Sequence, residues 1–232
     1  MITALANTNK RPAKEPGQFH DDLVSTLAAR RHAVSAPARG IADTQPLARG
    51  ELVEWLRFQC WYRHEAGVFI RSWLSDDLDS DILAGLCRQV ADEHRHYRLL
   101  LSHLNALGET MTDWAPEPEW VNWISEFHAS GDDSLERIAT CKIAGEPGAT
   151  DGLNERVPRV PAPTRLVLER ILADAGHHVD LGRRVVEHYA TSLDRQALVH
   201  ARVMRAFELE QKAQLAFNRR IRAMKVEAAN DT

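Results

Sequence analysis

From Leu86 to Leu104 the apolar residues Leu86, Val90, Tyr97, Leu100 and Leu104 fall at multiples of roughly one helical turn, which predicts an amphipathic helix with one buried stripe. The same period predicts core helices over about 47–74, 81–107, 134–153 and 164–190, and a closing helix over about 193–228. A further helical piece lies in FHDDLVSTLAARRHAV, and a short helix in WVNWISEF breaks near Gly131. The turn SDDLDS is short, so the first two core helices must lie antiparallel, and it offers an N-cap for the second. GEPG predicts an interruption or kink in the third, because Pro147 has no backbone donor. Thr164 is the expected cap of the fourth. Almost no strand pattern is present. The expected class is all-α, with four long core helices and extra N- and C-terminal helices, residues 1–17 forming a mobile tail and 18–232 a single domain.

Polar residues on these stripes change the picture. Glu93 occupies a buried position of QVADEHRHYRLLLSHL, and His96 follows one turn later close to the same face. A lone carboxylate there would be costly without a positive partner. The arrangement recurs in VLERILADAGHHVDLGRRVVEHY as Asp174 and His177, displaced by 81 residues (174 − 93), and the flanking stripe repeats with it as Val167, Ile171, Leu181 and Val185. Each carboxylate–histidine helix is preceded at 28 residues by another carboxylate, Glu65 (93 − 65) or Glu146 (174 − 146). In antiparallel hairpins that spacing can bring Glu65, Glu93, His96, Glu146, Asp174 and His177 to one level of the bundle. A displacement of 82 is the rival register. It aligns Asp92 and His96 with Asp174 and His178, and sets Ala175 opposite Glu93.

Four carboxylates and two imidazoles suit two divalent cations with open coordination for dioxygen, iron being favoured and manganese an alternative. Asp92 can either orient an opposing imidazole or face water. His178 and His94 flank the ligand positions and are expected to support them or face water rather than bind metal, and Tyr62 or Tyr97 either packs in the core or relays an electron. Glu146 can also be read as a surface residue paired with Lys142 one turn back.

Composition narrows the class. The 232 residues carry a net charge of −4, with 44% hydrophobic and 27% charged residues, which argues against a disordered chain and against nucleic acid as the main partner. No apolar run predicts a membrane span and no leader pattern is evident, so a cytoplasmic protein is expected. Cys60, Cys87 and Cys141 form no CxxC pair.

One Glu, then Glu-x-x-His, then one Glu, then a second carboxylate-x-x-His on four helices resembles the ferritin-like di-iron carboxylate proteins. In ligand separation it is most similar to soluble single-domain oxygenases such as the aldehyde-deformylating enzymes. The resemblance covers about residues 50–190 and rests on ligand spacing, with Asp174 standing where the family usually has Glu. It implies a ferritin-like four-helix bundle and a dioxygen-activating oxidase or oxygenase acting on a small organic substrate by hydroxylation, N-oxygenation or oxidative carbon–carbon cleavage. Without a flavin or nicotinamide fingerprint, an external redox partner would supply electrons. A homodimer is compatible with this reading. The alternatives are a ferritin- or rubrerythrin-like ferroxidase or peroxide-removing protein, and a helical interaction protein whose metal site has decayed.

Overall fold

A computed structural model describes residues 12–35, 45–128 and 134–230. Among the described residues, seven α-helices follow in chain order: α1 (Pro16–Ser35), α2 (Arg49–Arg71), α3 (Ser80–Ala106), α4 (Pro118–Ser125), α5 (Ser134–Arg156), α6 (Ala162–Tyr189) and α7 (Leu193–Asn230). No strand occurs among the described residues, and none of the described helices is long and apolar enough to cross a membrane. Most of the expected tail, and the break near Gly131, lie outside the described residues.

Local chemistry sets the helix ends. The Asp79 carboxylate accepts from the backbone N–H of Asp81 at 2.9 Å and caps α3. Gly108, at φ 79°, follows its last turn in the left-handed conformation that glycine adopts without strain. Thr164 is not the cap of α6. That helix starts at Ala162, with Pro163 in its first turn where the missing donor costs nothing, and the buried Thr164 hydroxyl instead bonds His103 Nε2 at 2.8 Å.

The expected interruption at Pro147 does not occur, and α5 runs through it. Side chains reinforce the backbone beside the proline: Arg31 donates to the Ala144 carbonyl, and the Thr150 hydroxyl donates to that of Glu146 at 2.9 Å. Packing against α6 and α7 holds the rest of the helix in place.

α2 packs on α3, α3 on α6, and α6 on α5, while α7 lies along α4 and α5, and α1 rests mainly on α6 and α5. Two close helix approaches depend on glycine. A Cβ on Gly85 would meet Leu181 Cδ1 at 2.6 Å, and one on Gly182 would meet Lys142 Cβ at 2.7 Å. On the far side, an aromatic layer fills the space between α2, α4, α5 and α7: Phe58 lies 4.7 Å from Trp120 and 5.3 Å from Phe217, and Tyr62 lies 6.0 Å from Trp123, ring to ring.

Candidate metal centre

Glu93 from α3, Glu146 from α5 and His178 from α6 converge in the interior, each buried and offering a donor atom within 4.8 Å of the others. His178 Nδ1 lies 3.7 Å from Glu93 Oε1 and 3.6 Å from Glu146 Oε2. His96 Nδ1 is 3.6 Å from Glu93 Oε2 and, though buried, has no hydrogen-bond partner. Separations of this size are too long for hydrogen bonds. They are close to the roughly 3.0–3.5 Å between neighbouring ligands that sit about 2.1 Å from one metal ion.

Each imidazole is held from behind by a carboxylate. Asp92 Oδ2 lies 3.3 Å from His178 Nε2, and Asp174 Oδ2 lies 2.9 Å from His96 Nε2. Arg95 joins the two aspartates, at 2.9 Å from Asp92 and 2.7 Å from Asp174. A neutral histidine that donates from Nε2 to a carboxylate keeps its Nδ1 lone pair free and turned inward, which is how proteins orient metal-binding imidazoles. The two pairs are reciprocal between α3 and α6, and both are related by the displacement of 82 (174 − 92 and 178 − 96). Glu93 lies outside that symmetry.

Two cations complete the cluster. Arg63 Nη1 donates to Glu93 Oε1 and Oε2 at 3.2 and 3.1 Å. Lys142 Nζ lies 3.2 Å from Glu146 Oε1 and contacts Gln89, whose amide in turn bonds Glu146. The pairing of Glu146 with Lys142 therefore exists, but both residues are buried and the surface reading does not hold. Burial pushes the Glu93 carboxyl up, yet Arg63 and His96 outweigh it and hold it below its ordinary value. Burial of Glu146 is likewise overcome, by Lys142 and His178, and its carboxyl sits well below the ordinary range. Burial lowers His178, but its contacts with Glu146 and Glu93 prevail and raise it.

The remaining expected ligands lie elsewhere. Asp174 stands outside the cluster, behind His96. Glu65 is about a quarter exposed on another face of α2, with His128 Nε2 at 4.0 Å. His177 is exposed and lines a surface groove with Asp81, Arg88, Gln89 and His178. Tyr62 is buried beneath Arg63, whose guanidinium lies 5.2 Å from the ring centroid, whereas Tyr97 packs on His64 at 5.5 Å.

A search for acids and histidines overlooks Arg63, Lys142 and Gln89. A signal was present, since Gln59, Arg63, Ala66 and Ile70 share one buried stripe of α2, and Ile138, Lys142 and Glu146 share one of α5. A long cation at such a position announces a buried anion facing it. Compared with protein-family models, with curated proteins and with solved structures, the chain matches none of them.

Proposed function

We propose that the chain is a ferritin-like, metal-dependent oxidoreductase whose centre takes one divalent transition-metal ion, iron by preference, on Glu93, Glu146 and His178, with His96 as a fourth donor. The observation that carries this reading is the pair of imidazoles, each anchored through Nε2 by an aspartate while Nδ1 turns toward Glu93. Two carboxylates and two imidazoles suit ferrous iron, which would supply one-electron redox and dioxygen-binding chemistry. The residues around it bind and orient. Asp92, Asp174 and Arg95 fix the imidazoles, and Arg63 and Lys142 fix the carboxylates. A single position fits better than two, because Glu65 and His177 point elsewhere and Arg63 and Lys142 already balance Glu93 and Glu146. The substrate remains a small organic molecule, and the electrons come from an external donor, as the family resemblance implies.

Because its carboxylate neighbours raise His178, metal uptake competes with protonation of that imidazole as well as with two resident cations, so affinity is moderate and depends on Lys142. Anaerobic titration with ferrous or cobaltous ion, followed by elemental analysis, should give one ion per chain. His178→Ala and Glu93→Gln should abolish binding, His177→Ala and Glu65→Gln should retain it, and Lys142→Met should tighten it. Two ions per chain with dependence on Glu65 and His177 would restore the di-iron arrangement instead.

The charge balance favours a second reading, in which the cluster is a structural ion network in a helical protein whose metal site has decayed. Failure of both the wild type and Lys142→Met to take up metal would establish it.

A further inference from the structure

α3 and α6 run antiparallel, because Gly85 lies against Leu181, Asp92 meets His178, His96 meets Asp174 and His103 meets Thr164. Between them lies a surface groove with a cavity volume of about 430 Å³. That is within the usual range for small-molecule sites. The antiparallel register orders its lining into three levels. At the outer end Asp81 lies level with Arg184, and Asp180 stands one turn further in on α6. Ala84 and Gly85 face Leu181 in the middle, and Arg88 and Gln89 lie level with His177 and His178 at the inner end.

The inner end reaches the cluster itself. Gln89 and His178 are only 1% and 4% exposed and yet line the groove, and Gln89 bonds Glu146 while His178 is one of the three converging donors. A molecule lying in the groove therefore has its tip beside the candidate centre.

The outer end is charged and unengaged. The exposed side chains of Asp81, Asp180 and Arg184 line one concavity, but they make no ion pair or hydrogen bond with one another or with any other described residue. Arg88 differs, since it lies 3.9 Å from Asp92. The apolar stretch between the two ends is short, being Ala84, Gly85 and Leu181, so a long hydrocarbon chain finds no matching wall.

We propose that this groove binds a small α-amino acid with an uncharged side chain, its carboxylate on Arg184, its ammonium on Asp81 and Asp180, and its side chain directed over Gly85 and Leu181 toward His178. The headgroup of an amino acid carries both signs of charge on one carbon, as the outer end does with the signs reversed, and a guanidinium takes a carboxylate through two parallel N–H donors. From the level of Arg184 to that of His178 is six residues of helix (184 − 178), about 9 Å, which accommodates the headgroup and a side chain of about four non-hydrogen atoms. A cationic tip would meet Arg88, and like charges repel. The further identification of the bound amino acid as the substrate rests on the metal reading above; the binding itself does not.

The test uses the full-length, metal-free protein, titrated with four probes and followed by NMR of the histidine rings, the His178 signal being assigned by its loss in His178→Asn. L-Norleucine should bind saturably and shift the His178 signal. Hexanoate lacks only its ammonium, pentylamine lacks only its carboxylate, and L-lysine adds a cationic tip. Each should bind about fivefold or more weakly, the scale of one partly exposed ion pair. Arg184→Gln should weaken norleucine by a similar factor and leave pentylamine unchanged. Ala84 is exposed on the groove wall, so Ala84→Trp should fit the fold, fill the groove and abolish norleucine binding. No saturable binding of norleucine, equal affinity for norleucine and any of the other three probes, or norleucine binding untouched by both substitutions would overturn the proposal. Because no metal is present, failure here is separable from failure of the metal titration.

Discussion

At the scale of single residues, the interior is organised by where charges find partners. Arg63 and Glu93 are a buried pair, and removing one partner strands the other. Arg63→Met should therefore destabilise the metal-free protein by about 3–5 kcal/mol in chemical denaturation, and adding Glu93→Gln should recover much of the loss. His178 carries the opposite pH sign to its carboxylate neighbours. Because its value is raised in the fold, its stabilising contribution is complete below its ordinary value of 6.5 and disappears as pH climbs through the raised one. The gap in melting temperature between wild type and His178→Asn, measured with chelator present, should be wide at about pH 6 and narrow at about pH 9. Thiol chemistry follows burial in the same way. Cys60 is pushed up to about 12 and Cys141 higher still, while Cys87 is exposed, so a disulfide reagent should label one thiol per native chain and three after unfolding.

At the scale of elements, helix spacing depends on glycines at two crossings whose substitution should not cost the same. At Gly85 the obstructing atom is the tip of Leu181, which can rotate away; at Gly182 it is the Cβ of Lys142, fixed to the α5 backbone. Gly182→Ala should lower stability by about 1–3 kcal/mol and loosen Lys142 from Glu146, whereas Gly85→Ala should cost clearly less. Calorimetry of the two variants ranks them. The helix ends were mostly legible, since the Asp79 cap and Gly108 are local signals. The continuity of α5 through Pro147 was not, because a helix continues past a proline when neighbouring helices and side-chain donors hold it, and those neighbours are distant in sequence.

At the scale of the whole molecule, α3, α5 and α6 bring two acids and two imidazoles together, α2 adds Arg63, and aromatic rings of α2, α4 and α7 pack into a layer of their own. Apolar periodicity determined the all-α architecture, the order of the helices and the presence of Glu93 and His96 on an inward face, because burial requires the 3.6-residue repeat to be written into the chain, while Glu146 was reached through the repeat spacing. The pairing of Asp92 with an imidazole was one of two readings the sequence allowed, and the contact with His178 Nε2 decided it. Tertiary structure alone decided which histidine of the His177–His178 pair turns inward, since adjacent positions differ by about 100° on a helix and the stripe tolerates either. It also decided that Arg63 and Lys142 meet Glu93 and Glu146. A sequence specifies faces, but the partner across a bundle is fixed by helix rotation and axial offset, and those are properties of the packed whole.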